Sequence, residues 1–174
     1  MILYKIIRVL LFPFIYWFMP MIFPFLKKRI EFEAQNKFLN ISGGNAEIAF
    51  QISSVGELEQ VYALIKMFLR DGACVEICFT SPSVENGCKR LQQDFPNQIR
   101  LFRYPLLSYL PWSHRNNPAY FLTAPTICLV RYDFFPEVIE LGKQRSLILF
   151  AATSKSFKGS NVFKKTYYRK LHSL

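Results

Sequence analysis

The residues best suited to chemistry lie at positions 51–57, which read Gln-Ile-Ser-Ser-Val-Gly-Glu. Glu57 follows an alternating strand pattern over 48–52 and opens an amphipathic helical pattern. Open α/β sheets bind ligands at the carboxyl ends of their strands, so a carboxylate there could act as general base toward a hydroxyl. Ser54 and Glu57 also match the S-x-x-E capping box at a helix start. The spacing alone favours capping, and the catalytic hypothesis stays open beside it.

Other catalytic and metal chemistries have little support in the sequence. Glycine-rich phosphate loops of the GxGxxG or GxxxxGK[ST] type do not occur, and Ser53 and Ser54 lack the flanking glycines of a nucleophile elbow. His114 and His172 lie apart from any cluster of cysteines or carboxylates. The four cysteines (Cys74, Cys78, Cys88 and Cys128) lack metal-ligand spacing and are expected to be reduced. Cys74 and Cys78 share one face of a predicted strand and are expected to be small core residues. We therefore expect neither a metal site nor a disulfide.

Strand and helix patterns alternate along the body of the chain. Strands are predicted over 47–52, 73–80, 99–102, 126–132 and 146–152, with helices over 58–71, 83–95 and 136–143 and an irregular segment over 103–125. The strands over 126–132 and 146–152 are nearly continuous apolar runs, which indicates burial on both faces. The order predicts an α/β fold with a mainly parallel, Rossmann-like sheet and flanking helices.

The first 30 residues predict a membrane anchor. Val9 to Leu26 is an 18-residue uncharged run bracketed by basic residues and dense in aromatics, which favour the membrane interface. Pro13, Pro20 and Pro24 are expected to interrupt a helix there. A monotopic anchor is the first interpretation, a kinked single span the second, and a buried core helix the weakest.

The net charge of +10 is concentrated at the two ends of the chain. Residues 1–37 carry an excess of four positive charges and 154–174 an excess of six, whereas 38–153 is neutral. A neutral body with basic, aromatic ends favours an anionic membrane surface over nucleic acid. A nucleic-acid binder using the tail over 155–170 is a distant alternative.

Four segments together resemble a known family. Phe50–Leu58 and Ile77–Ser81 are similar to the H-x-x-S-V-G-E segment and the Thr/Ser-rich loop in the acceptor-binding domain of bacterial Kdo transferases (glycosyltransferase family 30). Leu129–Pro136 looks like the E-T-E-L-W-P segment of that family, and Ala152–Ser156 like its N-A-R-x-S segment. The likeness runs from the apolar amino-terminal segment to about Tyr168.

The resemblance implies half of a GT-B glycosyltransferase at the cytoplasmic face of the inner membrane. The implied reaction is an inverting, metal-independent transfer of Kdo from CMP-Kdo to a hydroxyl of the lipid A precursor in lipopolysaccharide biosynthesis, with no cofactor. Glu57 would be the catalytic base, and Gly56 would let the backbone approach the acceptor. The remaining acceptor-binding residues that it implies are Ser53, Ser54, Thr80, Ser81, Arg131 and Asp133.

The chain also departs from the family pattern. The motif His is Gln51, the E-T-E carboxylates become Arg131 and Asp133, and the Trp before Pro136 is Phe135. The expected division is an anchor over 1–30, an acceptor-binding domain over 31–160, and a basic tail or the start of an interdomain linker over 161–174. A domain that binds CMP-Kdo would have to be supplied in addition, for example by a partner chain. The alternative is a non-catalytic, membrane-associated module that binds a glycolipid or a partner.

Overall fold

The computed structural model describes residues 2–38, 45–108, 110–112, 121–131 and 135–150. Five parallel strands form one sheet in the order β3-β2-β1-β4-β5. Their bounds are β1 Ile48–Ile52, β2 Val75–Phe79, β3 Ile99–Arg103, β4 Thr126–Val130 and β5 Ser146–Phe150. The predicted Rossmann-like α/β fold is thus confirmed. The strand order reverses between β1 and β4, which is where such sheets open a crevice at their carboxyl ends.

Helices cover both faces of this sheet. They are α1 (Ile2–Pro13), α2 (Met19–Ile22), α3 (Pro24–Ala34), α4 (Val55–Arg70), α5 (Pro82–Asp94) and α6 (Pro136–Leu141), with a π-helical turn at Phe14–Phe18 and a 3₁₀ turn at Gln35–Phe38. Alternate residues of β1 enter two separate cores. Phe50 packs with α4 and α5, whereas Ala49 packs with α6 and the segment that precedes β4. The described strands β1 and β2 are therefore buried throughout.

The end of α4 follows its sequence signal. The helix stops before Asp71, and Gly72 adopts a left-handed φ of 88° that a glycine accepts without strain. Cys78 is buried, as predicted, whereas Cys74 is only half-buried. All four cysteines are free, and burial raises the pKa of Cys88 to about 12 and that of Cys128 to about 11.

The prediction that β5 is a buried strand is wrong for its described residues. All of Ser146–Phe150 is exposed or half-buried because β5 lies at the edge of the sheet that the structure describes, where it pairs with β4 alone. Its apolar composition resembles that of a central strand, and composition alone does not show which neighbours a strand receives. The last two residues of the predicted strand, 151 and 152, lie outside the described part.

The prolines interrupt the amino-terminal segment less than predicted. Helical structure continues from residue 2 to residue 22 through Pro13 and Pro20. The π-helical turn Phe14–Phe18 contains Tyr16, the residue whose carbonyl the ring of Pro20 would otherwise crowd. The helical path breaks only at Phe23, which is extended (φ −120°, ψ 96°) because the following Pro24 disfavours the helical conformation there. By length and composition, Ile2–Ile22 could cross a membrane, with a mean hydropathy of 1.7 and no residue of its apolar window buried.

Candidate functional site

The turn after β1 and the residue after β4 lie side by side at the reversal of strand order. The register pairs Gln51 of β1 with Leu129 of β4, so both strands end at the same edge of the sheet. Ser53 and Ser54 follow β1, and Arg131 follows β4. The predicted site residues from these two segments therefore lie at the same edge of the sheet, beside the reversal of strand order where such folds commonly bind ligands.

Glu57 lies in the first turn of α4 and takes part in the helix cap. Ser54 Oγ accepts the N–H of Glu57 at 3.3 Å, as the capping box predicts. In a capping box the carboxylate would accept the N–H of Ser54. Here Glu57 Oε2 instead accepts the N–H of the preceding residue, Ser53, at 2.6 Å. Oε1 has no hydrogen-bond partner among the residues that the structure describes. The residue is 8% exposed, with Oε2 held by the Ser53 N–H and Oε1 keeping its lone pairs available.

Thr80 joins the ends of β1 and β2. Its N–H donates to Ile52 O at 3.1 Å, and its hydroxyl donates to Ser53 Oγ at 2.6 Å. Ser81, the next residue, instead caps α5 by accepting the N–H of Ser83 at 3.3 Å. The structure thus brings Thr80, Ser53 and Glu57 into one hydrogen-bonded group and leaves Ser81 as a helix cap.

Gly56 faces open space. A Cβ placed on it would meet no atom within 4 Å, and its φ is not in the left-handed region. The packing of the described residues therefore gives no reason for a glycine at the second position of α4.

Arg131 places a cation beside the same helix. Its Nε donates to Gln60 Oε1 at 3.2 Å, and Gln60 lies one helical turn after Glu57. Arg131 has a φ of 63°, a left-handed conformation that costs a non-glycine residue about 1 kcal/mol or more. Asp133, the other predicted residue of this segment, lies outside the described residues, as do the 152–156 segment and the basic tail.

Gln51, which stands at the motif histidine, is buried on the face of the sheet that α6 covers. Its register neighbours, Cys78 and Leu129, belong to the apolar core on that face. The side chain is 1% exposed, and neither its Nε2 nor its Oε1 has a partner within the described residues. Burying an amide without hydrogen-bond partners costs free energy. The unpaired donor and acceptor of Gln51 lie near the end of β1, close in sequence to the candidate site.

Sequence reasoning missed the polar contacts that fix α3 to the same edge of the sheet. Arg29 donates from Nη1 to Thr80 O and from Nη2 to Tyr104 O at 2.8 Å, and its Nε bonds Glu33 Oε1 at 2.6 Å. Glu33 is fully buried and accepts the backbone N–H groups of residues 106, 107 and 108 at 2.9–3.0 Å. The available signal was a charged pair four residues apart, directly after a long uncharged run.

Polar side chains of α1 also form hydrogen bonds to α6 and to the segment after β3. Tyr4 Oη donates to Glu137 Oε1 at 2.7 Å, and Arg8 Nη2 donates to Leu106 O at 2.5 Å. Tyr104 Oη donates to the other oxygen of Glu137 at 2.9 Å, and burial together with that carboxylate raises the pKa of Tyr104 well above its usual range. The ring of Tyr104 also stacks on Phe135, with centroids 4.1 Å apart.

A mostly apolar groove of about 470 Å³ opens beside these contacts. Its lining comes from α3, the start of α5 and the segment after β3, namely Phe25, Leu26, Lys28, Arg29, Pro82, Leu106 and Leu107. Two of these residues are cations. The groove begins next to Ser81, so it adjoins the candidate site on the side of the amino-terminal helices.

Comparison with models of known protein families finds no match. Comparison with curated proteins likewise finds none that matches this chain.

Within the described part of the chain, the chemistry of the site comes from the residues named above. The part of the chain that the structure describes contains no group of three or more His, Cys, Asp or Glu residues that could hold a metal ion. What it offers is a carboxylate with one free oxygen, two hydroxyls and a nearby guanidinium. Such a set can bind a hydroxylated, anionic ligand and accept a proton from it.

Proposed function

We propose that this chain is the acceptor-binding half of a Kdo transferase-like glycosyltransferase. In this proposal the acceptor is the lipid A precursor at the cytoplasmic face of the inner membrane, and a further domain binds CMP-Kdo. Support comes from the resemblance of the motif segments and from the position of Glu57 at the reversal of strand order.

The observation that carries the proposal is a short series of hydrogen bonds between the apolar segment and Glu57. Arg29 of α3 bonds the carbonyl of Thr80, and the hydroxyl of Thr80 bonds that of Ser53. The N–H of Ser53 in turn bonds Glu57. A lipid held in a membrane beside α3 would therefore present its head group at the edge of the sheet where Glu57 lies.

The proposed reaction uses the free oxygen of Glu57. Oε1 takes the proton of the acceptor hydroxyl while the hydroxyl oxygen attacks the anomeric carbon of Kdo and CMP leaves with the electrons of the broken bond. Arg131 would pair with a phosphate of the acceptor, since a guanidinium suits that geometry. The open space at Gly56 gives the acceptor room to approach.

Replacement of Glu57 by Gln tests this role. The variant, combined with a CMP-Kdo-binding domain, should keep its fold and its binding of lipid A precursor but lose transfer by about 100-fold or more. Glu59→Gln is the matched control, because Glu59 is an exposed carboxylate on the same helix. Transfer by Glu57→Gln at close to the unmodified rate would refute the catalytic role.

A second candidate function is binding of an anionic glycolipid without catalysis. Two observations favour it: Glu57 already serves the helix cap, and Arg131 stands where the family has a carboxylate. This function predicts saturable binding of lipid A precursor to vesicle-bound protein and no transfer with any CMP-Kdo-binding domain. Binding no stronger than that of an unrelated basic protein of equal charge would count against both functions.

A further inference from the structure

We propose that residues 4–33 form a re-entrant hairpin that inserts into one leaflet of an anionic lipid bilayer. The chain turns at Phe23, and the residues around this turn, 12–25, are called the bend. Both of its ends stay on the same side of the membrane as the α/β body. The proposal holds whether or not the candidate site is catalytic.

The two ends of the hairpin bond the same short segment of the body. Arg8 donates to the carbonyl of Leu106, and Glu33 accepts the N–H of that residue at 2.9 Å. Lys5 adds an ion pair of 2.9 Å with Glu140 of α6. Since both ends reach one attachment point, the chain between them must leave the body and return to it.

The length of the returning arm limits how deep the bend can lie. Arg29 is bonded to Thr80 and Tyr104, and it lies only six positions after the break at Phe23. At a helical rise of 1.5 Å per residue, this arm spans about 9 Å. The hydrocarbon core of a bilayer is about 30 Å thick, so the bend reaches into one leaflet and does not cross. If Ile2–Ile22 crossed the membrane, either the bonds of Lys5 and Arg8 or those of Arg29 would have to break.

The surface of the bend suits lipid and not water. Its exposed apolar side chains include Phe14, Trp17, Phe18, Met21, Ile22 and Phe25, with Trp17 67% and Met21 83% exposed. No charged residue occurs between Val9 and Leu26. Lys27 and Lys28 follow at once and are exposed, where they can pair with anionic head groups. The apolar patch and its basic border therefore favour an anionic membrane as the binding partner of this surface.

Cysteine labelling on vesicles tests the topology. In a Cys74→Ser background, single Ile2→Cys and Lys28→Cys variants are bound to preformed vesicles of phosphatidylcholine and phosphatidylglycerol and treated with a membrane-impermeant maleimide. The buried thiols Cys78, Cys88 and Cys128 should stay silent, since burial raises the pKa of each. A hairpin predicts that both introduced cysteines react from outside at rates within about twofold of those after detergent permeabilisation. Protection of Ile2→Cys alone until detergent is added would show a spanning helix and overturn the proposal.

Insertion of the bend is measured separately. In a Trp112→Phe background, acyl chains brominated within one leaflet should quench the fluorescence of Trp17. Trp17→Ser with Met21→Ser should weaken vesicle partition by at least about tenfold, given the apolar area involved. Met67→Ser is the matched control, since Met67 is 52% exposed on α4 and far from the hairpin in sequence. Absence of quenching, or equal losses in the two variants, would refute insertion.

Discussion

Replacement of Glu33 by Gln should destabilise the chain by about 3–5 kcal/mol. The carboxylate is fully buried and accepts three backbone N–H groups as well as Arg29 Nε. An amide keeps only one acceptor oxygen and turns an NH₂ group toward the remaining donors. Each orphaned buried donor costs about 1–3 kcal/mol, and removal of one partner of a buried ion pair costs about 3–5 kcal/mol. Because these costs share the same atoms, they are not additive, and the total is close to the second figure.

The assay for Glu33→Gln is urea unfolding followed by circular dichroism at a fixed vesicle concentration. Glu31→Gln is the control, since Glu31 is exposed on the same helix and should change the free energy of unfolding by less than about 0.5 kcal/mol. A loss below about 1 kcal/mol for Glu33→Gln, with an unchanged urea dependence, would refute the reasoning. It would mean that the contacts of α3 with the segment after β3 do not contribute to stability.

Three further predictions concern other polar groups. Gln51→Met should stabilise the fold by about 1–3 kcal/mol in thermal unfolding, because it removes two buried polar atoms that have no partner within the described residues. Arg131→Gly should raise stability by about 1 kcal/mol by relieving a left-handed φ, while titration with lipid A precursor shows weaker binding. Partial burial acts to raise the pKa of Glu85, but bonds from Arg103 outweigh this effect and lower the pKa. The charged carboxylate therefore stabilises the fold above about pH 4.3, and this stabilisation is lost as the pH falls through the lowered pKa. Glu85→Gln should therefore flatten the acid limb of a plot of melting temperature against pH, and an unchanged limb would contradict the assignment.

The sequence predicts elements well because their signals are local. Alternation over 48–52 and helical spacing after residue 54 depend on neighbours only a few residues apart, and the structure confirms both elements. Buried carboxylates have no such signal. Glu76 lies in the middle of β2 and accepts the backbone N–H groups of Thr123 and Ala124, which are 47 and 48 residues away. Backbone donors carry no side-chain identity, so a sequence pattern cannot show which carboxylate binds them.

The sequence predicts which residues form the candidate site after β1, but not all of the hydrogen bonds that their side chains make. The S-x-x-E spacing predicts the bond between Ser54 and the Glu57 N–H, and the structure confirms it. That the carboxylate returns to Ser53, not to Ser54, depends on how the β1 strand enters the helix. The bond from Thr80 to Ser53 required the pairing of β1 with β2, which no residue of the motif specifies.

The bonds between α3 and the site determine how a membrane-inserted hairpin would act on Glu57. Arg29 holds the backbone carbonyl of Thr80, and the Thr80 N–H is bonded to Ile52 of the central strand. The connection from Arg29 to Glu57 therefore combines backbone groups at the ends of β1 and β2 with the bond between the hydroxyls of Thr80 and Ser53. In the proposed function, this connection would place the Glu57 carboxylate at a set height relative to the bend. Such a placement would suit a ligand whose reacting hydroxyl lies at a fixed distance from its acyl chains.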